Sequence, residues 1–82
     1  MAESASVRFT MDDGEILVIA DEDVDRIYGL LWDLSAEPGA VFTAALLIEA
    51  SRTSDFARTA PKLTPTQSAV LREAVALLDA AS

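Results

Sequence analysis

Val7-Arg8-Phe9-Thr10-Met11-Asp12-Asp13-Gly14-Glu15-Ile16-Leu17-Val18-Ile19 reads as two strands and the turn between them. Val7 to Met11 alternates apolar and polar side chains, the period of a strand with one buried face. Glu15 to Ile19 is richer in apolar and β-branched residues and suits a second strand. Asp13-Gly14 between them is a strong hairpin signal, because a type I′ turn requires positive φ at both central positions. A lone hairpin is marginal in water, so helices must cover one face or further strands must extend it.

Downstream, Asp21 suits an N-cap, and Glu22, Asp23 and Asp25 load the first turn of a helix with charge that its dipole favours. At 100° per residue Val24, Ile27, Tyr28, Leu30, Leu31, Trp32 and Leu34 span an apolar arc of about 200°. Ser35-Ala36-Glu37-Pro38-Gly39 breaks that helix. Ala40 to about Arg52 is apolar in nearly all directions (Phe42, Leu46, Leu47, Ile48). Its length and its Ala and Leu content favour helix over strand. A short third strand beside the hairpin is expected near 56–63. Thr64-Pro65-Thr66-Gln67 carries a capping box with Pro at the first helical position. It opens a last helix whose stripe is Val70, Leu71, Ala74, Val75, Leu77, Leu78 and Ala81. The expected architecture is α+β, β-β-α-α-α, with residues 1–6 a disordered leader and 7–82 one small domain.

The chain has 82 residues with neither cysteine nor histidine. Disulfides, thiolate nucleophiles and Cys-based metal sites are therefore excluded. The commonest general base at neutral pH is missing too, along with the commonest nitrogen ligand. No export signal is visible, since Glu3 sits among small polar residues at the start. The longest uncharged run, Pro38 to Ile48, is far short of the ~20 residues that cross a bilayer. A cytoplasmic protein without membrane contact is expected. Abundant Ala, with Arg preferred to Lys, points to a GC-rich bacterial genome.

Charge is divided unevenly. Residues 1–38 hold ten acids and two bases, whereas residues 39–82 hold four of each. Asp12, Asp13, Glu15, Asp21, Glu22, Asp23 and Asp25 form a run without a base among them. Asp21, Asp23 and Asp25 match the first ligand positions of a calcium-binding EF-hand loop. Arg26 and Trp32 stand where that loop needs Gly and a bidentate Glu, so capping explains these acids better. Acid–base chemistry between paired carboxylates needs one of them desolvated in a cleft, whereas a turn and a helix start are solvated places. The expectation is a non-catalytic protein with no cofactor and no metal.

Leu63-Thr64-Pro65-Thr66-Gln67-Ser68-Ala69-Val70-Leu71 resembles the opening helix of LuxR-type helix-turn-helix domains, which often begin with a Leu-Thr-Pro cap. The resemblance covers nine residues, implies nucleic-acid contact, and reaches no recognition helix. A winged helix would place its hairpin after the helices. A basic strip of Arg52, Arg58, Lys62 and Arg72 is conceivable, but a net charge of -8 opposes attraction to phosphate. Nucleic acid is not an expected partner, and no motif identifies a small-molecule ligand.

The apolar excess is the stronger functional signal. Tyr28 and Trp32 are neighbours on the first helix, with Trp32 at the margin of its apolar arc. Contiguous exposed apolar surface marks contact sites, and symmetric dimers are the commonest assemblies. The leading expectation is a homodimeric protein–protein interaction module using Leu30, Trp32, Leu34, Phe42 and Leu46. The alternative is an acidic partner, antitoxin-like, an anti-regulator or a nucleic-acid mimic, whose Asp12–Asp25 cluster docks on a basic target. If the second helix simply plugs the centre of the domain, no apolar face is left over.

Overall fold

The computed structural model describes residues 6–52 and 57–81, and for 57–59 the backbone alone. Strands β1 (Ser6–Thr10) and β2 (Ile16–Ala20) form an antiparallel hairpin. A 3₁₀ turn, Asp21–Asp23, leads into α1 (Val24–Asp33), followed by α2 (Ala40–Ser51). The short strand β3 (Ala57–Thr59) pairs parallel with β1, and α3 (Pro65–Ala81) closes the order. The architecture is α+β, with a hairpin followed by three helices and a third strand in the place the sequence suggests. Residues 1–5 of the expected leader lie outside the described residues, and β1 opens at Ser6.

β1 is the central strand of the order β2-β1-β3. Beyond β3 the chain keeps following it, as Ala60 N–H donates to the Arg8 carbonyl and Leu63 N–H to that of Thr10. Val7 and Phe9 are fully buried, as is Met11 just after the strand. Paired with Val7 and Phe9 are Ile19, also buried, and Leu17, which packs against the core. Arg8 lies opposite Val18 and Thr10 opposite Ile16, on the open face. The strict alternation of β1 thus separates a helix-covered face from a solvent face.

Each local start has a physical cause. The hairpin turn is a three-residue loop, Asp12 to Gly14, and not a type I′ pair. Gly14 N–H donates to the Met11 carbonyl at 3.0 Å, and Met11 N–H to the Glu15 carbonyl at 2.7 Å. Within this loop only Gly14 has positive φ, at 90°, which is the type I turn plus bulge arrangement. A type I′ turn would also force Asp13 to positive φ. Instead the Asp13 carboxylate accepts the Glu15 N–H at 3.0 Å and braces the turn. Asp21 is likewise the first residue of the 3₁₀ turn and not its N-cap; Ala20 is the extended residue before it.

Helix α3 opens as its sequence demands. Gln67 N–H donates to Thr64 Oγ1 at 3.2 Å, and Thr64 N–H to Gln67 Oε1 at 2.9 Å. This is the reciprocal capping box, and it lets Gln67 sit buried with its amide oxygen bonded. The other buried polar side chains are also paired. Thr43 donates back to the Gly39 carbonyl at 2.7 Å, and Ser68 Oγ accepts the Asp12 N–H at 2.9 Å. That last bond pins the hairpin turn onto α3.

Helix α2 has a direction that its all-round apolar sequence left open. Its inward residues are Ala40, Thr43, Ala44, Leu47 and Ala50. Small side chains on that face let it pack closely against α1, α3 and β1. Its bulkiest residue, Phe42, faces out. Helix two therefore does not plug the domain; it presents an apolar face. At its start Gly39 has φ 82°, and an added Cβ would stand 3.3 Å from Thr66 Cγ2. The α1–α2 connection thus lies tightly against the first turn of α3.

Candidate functional site

The five apolar candidates divide into two environments. Phe42 is 62% exposed and Trp32 46%. Leu30, Leu34 and Leu46 are partly buried and pack against the core. Leu30 faces the end of α3, sharing an open cleft with Leu78 and Ala81. At 100° per residue Leu30 lies about 160° round α1 from Trp32, so the two do not share a face. Trp32 leans instead on Tyr28, edge to face, with ring centroids 6.2 Å apart.

Trp32 lies in the last turn of α1 and Phe42 in the first turn of α2, so both flank the same connection. Val41, next to Phe42 in the chain, is 42% exposed. Sequence periodicity missed Val41, because a helix apolar all round gives no direction to its faces. Ile16 and Val18, each more than half exposed on the open face of the sheet, were missed as well. Their signal was present, since strand alternation alone puts them opposite Leu17 and Ile19.

The acidic run does not form one cluster. β2 separates its two parts by five residues, roughly 17 Å at the rise of an extended strand. The first part, at the hairpin turn, gathers round Arg72 of α3. Arg72 Nη2 lies 3.0 Å from Glu15 Oε1 and 3.3 Å from Asp13 Oδ2, and Nη1 lies 3.7 Å from Asp12 Oδ1. The Glu15 N–H holds the Asp13 carboxyl below its usual range; desolvation works against it, and the Arg72 charge adds to the lowering. The hydrogen bond to Glu15 and the surrounding carboxylates raise Arg72 further. Because these groups are solvent-exposed, the contacts locate the turn more than they stabilise it.

Asp21, Glu22 and Asp25 of the second part are exposed, and Asp23 is half-buried. No group of three acidic side chains among the described residues is gathered closely enough to hold a metal ion. Of the suggested basic strip, Arg72 is committed to the hairpin. Arg52 and Lys62 are exposed, and the Arg58 side chain lies outside the described residues.

A second open depression, about 370 Å³, lies where Glu37 and Pro38 meet Thr66, Ala69 and Glu73. Among the described residues, Glu37 and Glu73 are the only ionisable groups on it. No described helix is long and apolar enough to cross a membrane. Comparison with protein-family models, with curated proteins and with solved structures gave no match.

Proposed function

We propose that the protein is a small, non-catalytic interaction module of the cytoplasm that works as a homodimer, its copies meeting through the α1–α2 corner. The observation that carries this is Phe42, an aromatic side chain 62% exposed in the first turn of α2, with Val41 beside it and Trp32 across the connection. Burying a ring of this kind removes roughly 150–250 Å² from water, and aromatic anchors dominate contact energies. Two copies related by a two-fold axis would each bring the same residues to one interface.

Sedimentation equilibrium over a wide concentration range tests the reading, with Phe42→Glu as its partner variant. A dimer that becomes monomeric in Phe42→Glu supports it. A monomer at every concentration overturns the homodimer. A dimer indifferent to Phe42→Glu overturns the assignment of the contact to this corner.

A further inference from the structure

β2 is a bare edge of the sheet, with β1 on one side and no described strand on the other. The Met11–Glu15 bond sets the alternation of the ladder, which makes Phe9–Leu17 and Val7–Ile19 the bonded pairs. The N–H and C=O groups of Ile16 and Val18 therefore point away from β1. Among the described residues no loop or helix backbone satisfies them. Natural edges are blunted by Lys, Pro or a bulge within the strand, and Ile16-Leu17-Val18-Ile19-Ala20 has none of these.

Beside this edge, β2, α1 and α3 enclose a cleft of about 150 Å³. Ile27, Val75 and Leu78 supply its apolar wall, and Asp23 and Asp79 are its carboxylates. That volume is about what a benzene-sized group fills, and it lies below the ~300 Å³ at which sites for free small molecules begin. It suits one side chain carried on a backbone.

Charge selects the occupant. Both ends of β2 are acidic, with Asp13 and Glu15 before it and Asp21, Glu22 and Asp23 after it. A second copy pairing antiparallel about Val18 would set Glu15 against Asp21, and in-register parallel pairing would set each acid against itself. Like charges directly opposite destabilise a strand pair, so the edge is guarded against its own copy.

We infer that the β2 edge takes up an extended segment of a different protein as an added strand. One apolar side chain of that segment enters the cleft at Ile27, Val75 and Leu78, and Lys or Arg residues on either side meet the acidic ends. The inference goes beyond the α1–α2 contact and shares no residue with it. It gives the two acidic groups a joint role, as the two ends of one docking track.

The test is an amide NMR titration with a blocked peptide of alternating Val and Leu flanked by Lys, against the same peptide flanked by Glu. The Lys peptide should shift the Ile16, Val18, Val75 and Leu78 amides, and the Glu peptide should not. Val18→Pro removes an outward N–H without taking a bond from β1, and it should weaken binding by about tenfold. If that variant fails to fold, Asp79→Lys, exposed on α3, should weaken binding severalfold and increase its tolerance of salt. Shifts confined to α2, equal binding of the Glu peptide, or unchanged binding by folded Val18→Pro and by Asp79→Lys would each overturn the inference. So would the same β2 shifts on concentrating the protein alone, since a second copy would then occupy the edge.

Discussion

Helices α2 and α3 are both rich in Ala and aliphatic residues, yet they divide them differently between core and solvent. α3 turns Val70 and Leu71 inward and is tied to the hairpin by Ser68 and Arg72. α2 turns three alanines, Thr43 and Leu47 inward and leaves Val41 and Phe42 in solvent. Hydrophobicity therefore does not by itself decide burial. Where three helices and a sheet converge, the space available admits Leu47 and otherwise only small side chains from α2, and Val41 and Phe42 are left for another surface.

The largest loss is expected on the core side of α3. Leu71→Ala removes a fully buried side chain and should cost about 2–5 kcal/mol in chemical denaturation. On α2 the dangerous change runs the other way. Ala44→Leu adds volume to a fully buried position and should cost about 1–3 kcal/mol by overpacking. A near-neutral result there would show that α2 has room to spare. Thr64→Ala removes the N-cap of α3 and should cost about 1 kcal/mol. Phe42→Ala, by contrast, should shift monomer stability by no more than about 0.5 kcal/mol. A large loss would mean Phe42 is part of the monomer core.

The smallest effect concerns the tether between α3 and the hairpin. Asp13 has a lowered carboxyl pKa in the folded chain, so its contribution to stability is present above the ordinary carboxylate range, ~4. It is lost as pH falls through the lowered folded value. A carboxyl-detected NMR titration should find Asp13 titrating below the ordinary aspartate range, and Arg72→Gln should narrow the gap. No narrowing would assign the shift wholly to the Glu15 N–H.

Much of the fold was legible. The β1 alternation, the Asp13-Gly14 corner and the Thr64–Gln67 capping box are local patterns with local causes, and each lies where those patterns put it. The class of the turn was less legible, because Asp-Gly serves both a type I′ pair and a bulged loop. The choice rests on whether Asp13 needs positive φ. The candidate site was read only in part. Trp32 and Phe42 flank one corner, while Leu30 went to the α3 side of its helix. The acidic run looked continuous only because sequence order hides the length of a strand.

What sequence alone determined is the set of elements, their order and the chemistry withheld by the absence of histidine and cysteine. Those follow from backbone preferences and side-chain types, which act over a few residues. Tertiary structure alone decided which face of α2 is buried, that Arg72 closes on carboxylates 57 to 59 residues away, and that β2 is left as an edge. A helix apolar on every side has no preferred orientation, and a lone arginine has no preferred acid. In each case the choice is made by the space and charge that distant segments bring together.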